Sequence, residues 1–252
     1  MKTLSNKVVL VTGAGSGIGK AIAELLAKQG ARLMLSDIRY ANIEAVAKEI
    51  KSAGGEAAFY PADVSELKQV NSLMKYTLDQ YGTIDILVNN AGIMDDFSPV
   101  EQVSDELWNH ILGVNLNGPF YTCRAAMSIF QKQNRGHIIN IASIAGLNGG
   151  RAGLAYTVSK HGLIGMTKSI AYQYAGQGII CNAIAPGGIS TNILHGVEPN
   201  AFGFDRMSAG TANAPAPGSP QDIAALTLFL VSGNSGLING AVIVADGGWT
   251  AY

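Results

Sequence analysis

The stretch Lys7-Val8-Val9-Leu10-Val11-Thr12-Gly13-Ala14-Gly15-Ser16-Gly17-Ile18-Gly19-Lys20 decides the fold. Its first five residues form a short apolar run, as expected of a strand buried on both faces. Four glycines follow at once. Residues 21–29 then read as an amphipathic helix that Gly30 stops, and a second apolar run over 31–36 ends at Asp37. This is a strand–helix–strand unit whose first turn is glycine-rich.

The pattern repeats along the chain. Helices are expected over 41–53, 66–81, 104–132, 154–176 and 220–231. Strands are expected over 56–60, 84–88, 137–142, 179–183 and 241–245. Such alternation predicts an α/β fold of Rossmann type: a doubly wound parallel sheet of about seven strands with helices on both faces. No linker or composition break marks a second domain, so residues 1–252 are expected to form one. Residues 188–218 interrupt the alternation with no sustained period and with Pro199, Pro215 and Pro217. A loop of that length leaving the C-terminal end of a strand predicts a substrate lid. Its apolar residues Ile193, Leu194, Val197, Phe202, Phe204 and Met207, against only Glu198, Asp205 and Arg206, suggest an apolar or weakly polar substrate.

Composition narrows the function classes. The net charge of −1 gives no large field for nucleic acid or an anionic membrane. No long apolar run predicts a membrane span, and the N-terminus has no signal or transit character, so a cytoplasmic protein is expected. Cys123 and Cys181 stand alone in apolar contexts and read as buried thiols. His110, His137, His161 and His195 show no ligand spacing, and no metal is expected.

Two constellations point to chemistry. In Gly13, Gly17 and Gly19 the spacing is G-x-x-x-G-x-G, with Gly15 between. Backbone amides there and the positive end of the following helix could seat a pyrophosphate. Asp37, 18 residues after Gly19, could accept hydrogen bonds from an adenosine ribose diol and would repel a 2′-phosphate. Ser16 is neutral where a base could meet that phosphate, and Arg39 is the dissenting residue. NAD (NADH) is therefore expected over NADP. In Leu154-Ala155-Tyr156-Thr157-Val158-Ser159-Lys160, a four-residue spacing puts Tyr156 and Lys160 on one helix face. An ammonium beside the phenol would lower its pKa from ~10 toward neutrality and fit it for proton transfer. Asp95 and Asp96 are expected to be a solvated loop pair.

With these pieces placed, the chain resembles the short-chain dehydrogenase/reductase family from about Lys7 to Gly248. The turn from Thr12 through Gly13, Ser16, Gly17, Ile18 and Gly19 is similar to the family's cofactor loop. Asp63-Val64 resembles its adenine-holding pair, and Asn89-Asn90-Ala91-Gly92 its NNAG segment. Pro186-Gly187, with Ile189 and Thr191 just beyond, resembles the loop seating the nicotinamide carboxamide. Asn115, Ser143, Tyr156 and Lys160 match the catalytic set, Ser143 standing thirteen residues before Tyr156.

The resemblance implies that Ser143 holds the substrate oxygen and Tyr156 exchanges the proton. Lys160 would acidify the phenol and hold the nicotinamide ribose, and Asn115 would order a water that leads the proton away. It implies a homotetramer too, with the helices over 104–132 and 154–176 pairing across two-folds and the tail containing Trp249 and Tyr252 at an interface. An NAD(H)-dependent interconversion of secondary alcohol and ketone follows. The rivals are a 3-oxoacyl-carrier-protein reductase, which would want NADPH and a basic surface, and a non-enzymatic NAD-binding sensor.

Overall fold

Seven strands, all parallel, form one sheet in the order β3-β2-β1-β4-β5-β6-β7. The computed structural model describes residues 2–233 and 235–251. In chain order the main elements are β1 (Val8–Thr12), α1 (Gly17–Lys28), β2 (Arg32–Ser36), α2 (Tyr40–Ser52), β3 (Glu56–Phe59), α3 (Leu67–Tyr81) and β4 (Ile86–Asn89). There follow α4 (Asp105–Leu112), α5 (Gly118–Gln133), β5 (Gly136–Ile141), α6 (Leu154–Gln173), β6 (Ile179–Pro186), α7 (Ala201–Ala209), α8 (Pro220–Val231) and β7 (Val242–Ala245).

Strand side chains alternate between the two faces, and each face has its own core. Val9, Val11, Leu33 and Leu35 pack with Ile22 and Leu26 of α1, Ile43 of α2 and Ile223 and Leu230 of α8. On the other face Leu10, Met34, Leu87 and Ile138 meet Val70 and Leu73 of α3 and Met127 and Phe130 of α5. Each fully buried Leu or Ile contributes about 1.5–3 kcal/mol. Cys123 and Cys181 are buried free thiols in this second core, and burial pushes the Cys123 thiol up to about 12. No helix among the described residues is long and apolar enough to cross a membrane.

The strand order reverses between β1 and β4, the place where open parallel sheets leave a crevice at their C-terminal ends. A buried polar ladder fixes that end. Thr122 Oγ1 donates to Asn89 Oδ1 (2.6 Å), Asn89 Nδ2 to Asn140 Oδ1 (2.9 Å) and Asn140 Nδ2 to Thr167 Oγ1 (2.9 Å). It ties α5 and α6 to β4 and β5 with each hydroxyl and amide paired, so the burial costs little.

Two expectations are corrected. The helix expected over 104–132 is two helices, α4 and α5, joined by a π-turn over Gly113–Asn117. The segment 188–218 is not irregular throughout, because it holds α7, whose Asn200 cap accepts from Gly203 N at 3.1 Å. Its base is closed by the bridge between Ile189 and Gly218, with Ser190 N donating to Gly218 O at 2.9 Å.

Candidate active site

A cavity of about 670 Å³ opens at the strand reversal, within the range of small-molecule sites. Of the residues singled out in the sequence, Gly13, Ser16, Gly17, Ile18, Asp37, Asp63, Val64, Asn90, Ala91, Gly92, Ser143, Tyr156, Lys160, Pro186, Gly187, Ile189 and Thr191 line it. Gly19 and Asn115 stand behind the wall.

At one end the β1–α1 turn is held from beneath. Thr12 Oγ1 accepts from the amides of Asn90 and Ala91 (both 3.1 Å), and Asn90 Nδ2 donates to Thr12 O and Gly13 O (both 3.0 Å). Gly13 has φ +62° and lies so close to the β4 loop that a Cβ would stand 2.8 Å from Ala91 Cα. A Cβ on Gly19 would collide with Gly13 O. Ser16 makes no side-chain cap on α1, and no acid stands in the helix's first turn. The first amides of α1 thus face the cavity without a resident anion, a donor set suited to a phosphate.

Asp37 is 8% exposed at the end of β2. It accepts from Gly15 N (3.1 Å) and Arg39 N (3.0 Å), while Arg39 reaches back to it with Nε (3.4 Å) and donates Nη2 to Ser16 Oγ (3.2 Å). The carboxylate and the guanidinium stand together at this mouth. Asp63 is engaged too, accepting from Ser65 N (2.9 Å) and Ser65 Oγ (2.6 Å). This set fits an adenine dinucleotide: helix amides to donate to the pyrophosphate and an acid to accept from a ribose diol.

At the centre, Tyr156 is buried against Met94, Ala145 and Ala152. Lys160 Nζ lies 5.4 Å from the Tyr156 ring centre and donates to Ile141 O at 2.9 Å. The expected acidification of Tyr156 is not found. Burial pushes the phenol up to about 12; the neighbouring Ser143 hydroxyl pulls it down and the Asp95 charge adds to the rise. Burial brings Lys160 down to about 8. Helix spacing puts the two side chains together, but burial governs the shift of each.

Asn115 sits in the π-turn, fully buried. Its Oδ1 accepts from Ile93 N (2.9 Å), and its Nδ2 donates to Ile93 O (2.9 Å) and Ser159 Oγ (3.2 Å). The carboxamide therefore clamps the loop after β4 onto α6.

The far end of the cavity is lined by Met94, Phe97, Ile193, Leu194, His195, Met207, Arg151 and Trp249. Phe97, at φ +63°, stacks edge-on with Phe204 of α7 (5.3 Å between ring centres). The Arg151 guanidinium lies 4.6 Å over the Trp249 ring and donates to Gly210 O at 2.8 Å, joining the end of α7 to the chain's tail. Trp249 lines this cavity, and Tyr252, the other aromatic of the tail, lies outside the described residues. His110 and His195, given no role from the sequence, also line the wall. No group of three His, Cys, Asp or Glu among the described residues could hold a metal ion.

The expectation that Asp95 belongs to a solvated pair is overturned: it is 2% exposed and accepts from Gly153 N (3.1 Å) and Tyr156 N (2.9 Å). Only Asp96 fits the loop-pair reading, accepting from Ser98 N at 3.0 Å on the half-buried rim.

Comparison with known proteins agrees with this geometry. A family model described as enoyl-(acyl carrier protein) reductase matches residues 13–250. The chain is 39% identical over 251 residues to 3beta-hydroxysteroid dehydrogenase 2 of Eggerthella lenta, across 99% of this chain and 96% of that protein. Cyclohexanol dehydrogenase of an Acinetobacter species is 36% identical over 247 residues, across 98% and 96% respectively. One similar solved structure is of a Beutenbergia cavernae protein assigned as an NAD(P)-dependent gluconate 5-dehydrogenase, with NADP bound at low occupancy. It matches with a TM-score of 0.89 at 33% identity over 100% of both chains.

Proposed function

Since the chain belongs to the short-chain dehydrogenase/reductase family, an oxidoreductase family, we propose that it interconverts a secondary alcohol and a ketone with NAD(H), using Tyr156 as general acid/base. The observation that carries this reading is that Ser143, Tyr156 and Lys160 line one cavity with the β1–α1 turn and Asp37.

A nicotinamide coenzyme supplies the hydride acceptor or donor. In the proposed complex the amides around Gly13, Ser16, Gly17, Ile18 and Gly19 receive its pyrophosphate, and Asp63 and Val64 border its adenine. Asn90, Ala91 and Gly92, with Tyr156 and Lys160, border the nicotinamide ribose. Pro186, Gly187, Ile189 and Thr191 take the carboxamide. Asp37 takes the adenosine ribose diol, and this is the ground for NAD over NADP; Arg39, already on Ser16, is the residue that would admit a 2′-phosphate.

Ser143 donates to the substrate oxygen and steadies charge forming there. With its pKa up at about 12, Tyr156 is protonated at neutral pH and is set to donate in the reductive direction. Oxidation needs the phenolate, so its rate rises with pH. Lys160, brought down to about 8, can give or take a proton near physiological pH. A Cβ on Gly92 would fall 3.4 Å from Asn115 Oδ1 and 3.5 Å from Lys160 Nζ. Gly92 thus stands beside both Asn115 and Lys160, and a water ordered there is the proton path proposed for Asn115.

The substrate class we favour is an alicyclic secondary alcohol. Met94, Phe97, Leu194, Met207 and Trp249 supply an apolar wall, and two relatives are named for a hydroxysteroid and for cyclohexanol. In this reading the chain is one domain, 188–218 is its lid, and the enzyme is a cytoplasmic homotetramer. The exposed Phe120 and Tyr172 on α5 and α6 and Phe229 and Val244 on α8 and β7 are apolar faces suited to partner subunits.

Replacing Tyr156 by Phe removes the proton donor but keeps the ring. Turnover falls by about 10²–10⁴-fold while coenzyme affinity, read by quenching of Trp fluorescence, stays within a few-fold. Turnover unchanged in that variant contradicts the assignment.

A further inference from the structure

Asp95 does for α6 what the helix cannot do for itself. Helix α6 begins after Gly153, which has no side chain with which to cap it. Its free amides are instead met by a carboxylate from the β4 loop, 58 residues away from Gly153 and 61 from Tyr156 in the chain. Oδ1 takes Gly153 N and Oδ2 takes Tyr156 N, so one acid spans the Ncap and N3 amides. A Cβ on Gly153 would collide with the Asp95 carboxylate, so the glycine lets the acid approach this closely. The negative charge stands at the positive end of α6, where hydrogen bonds to charged groups are strong.

The amide of Tyr156 itself is one of the two that are held. We propose that Asp95 is a positioning residue of the reaction centre, fixing the backbone that carries the Tyr156 phenol and setting the field in which the phenol ionises. This rests on the reading of Tyr156 as the proton-transfer group and adds an acid from outside the Ser143, Tyr156, Lys160 and Asn115 set. The charged, polar and titratable groups beside the phenol and on its cavity can be named element by element. Lys160 comes from its own helix, Ser143 from the end of β5, and Asp95 and Asp96 from the β4 loop. Arg151 stands just before α6, His110 on α4 and His195 in the 188–218 segment, all on the same cavity. Asp95 is the one acid among them acting directly on Tyr156, and it raises the phenol's pKa. Its own carboxyl is raised by burial, against which the Tyr156, Phe97 and Gly153 amides work.

The same neighbourhood connects outward. Asp96 O accepts from Asn200 N at 2.7 Å, and Gly203 packs directly on Phe97 O. The three residues after Met94 thus join the start of α6 to the start of α7.

The test compares wild type, Asp95→Ala, Asp95→Ser and Tyr156→Phe in oxidation of cyclohexanol and a 3β-hydroxysteroid, with NAD+ and NADP+, across pH. Serine keeps a neutral acceptor for a helix amide, so it decides the matter if the alanine variant does not fold. With the charge gone the phenolate is less disfavoured, and the pH limb of kcat moves to lower pH in both Asp95 variants. Asp95→Ala also loses roughly tenfold or more in kcat through misplacement of the phenol, with coenzyme KM within about twofold. A pH limb that stays put in the folded variants, or a coenzyme KM that changes as much as kcat, overturns the proposal and leaves the functional reading standing. No turnover by wild type, or full turnover by Tyr156→Phe, overturns that reading and this proposal with it.

Discussion

The turn between β1 and α1 and the segment between β6 and α8 both leave a strand end to wall the same cavity, yet they are built in opposite ways. The turn is short, and its neighbours Thr12, Asn90 and Asp37 spend their side chains on backbone groups of the turn or the β4 loop. The 188–218 segment is longer, is closed at its base, and carries a helix with no buried residue that is tied to the rest by Asn200 on Asp96 O, Phe204 on Phe97 and Arg151 on Gly210 O. One end of the cavity is therefore recognition by a fixed backbone, the other by side chains on an exposed element pinned at a few points. A backbone-built end suits a ligand common to many enzymes, and a side-chain-built end suits a ligand peculiar to one.

Changes at the two ends should then have separable effects, and the larger belongs to the turn. Asp37→Ala removes the acceptor for a ribose diol and frees Arg39. The preference for NADP(H) over NAD(H), read as a ratio of kcat/KM values, should rise about 10- to 100-fold, as expected for a charged hydrogen bond. Alcohol KM should change little; if it moves as much as the coenzyme ratio, the two ends are not separate. A smaller effect is expected from Phe204→Ala, which removes the edge-on ring contact with Phe97. Such pairs contribute about 0.5–1.5 kcal/mol, so KM for a bulky alcohol should rise about 2- to 10-fold at constant coenzyme KM. A shift confined to the coenzyme would break the comparison.

The same contrast decides what could be read in the sequence. Strand runs, the glycine turn and Asp37 lie within one continuous stretch, and local periodicity is enough to place them. The pairing of Tyr156 with Lys160 was equally local. The direction of the Tyr156 shift was not, because helical spacing gives adjacency but not burial, and burial dominates. Asp95 was unreadable for a related reason, since both its partners lie near residue 155 and only the fold brings them to the β4 loop. The π-turn at Asn115 depends on tertiary bonds to Ile93 and Ser159. Helix α7 left faint marks, a capping Asn200 and a closing Gly210. Nine residues with Gly203 among them are too few to show a helical period. Thr12, which knots β1 to the β4 loop, read only as part of the turn.

The most direct test of the central claim is the appearance of reduced coenzyme when the chain is given a 3β-hydroxysteroid or cyclohexanol with NAD+ or NADP+. The account predicts NAD+-dependent oxidation of at least one of these alcohols, faster than with NADP+ and rising from neutral toward alkaline pH. No coenzyme reduction with either alcohol, alongside brisk NADPH-dependent reduction of an acetoacetyl-carrier protein, would contradict it.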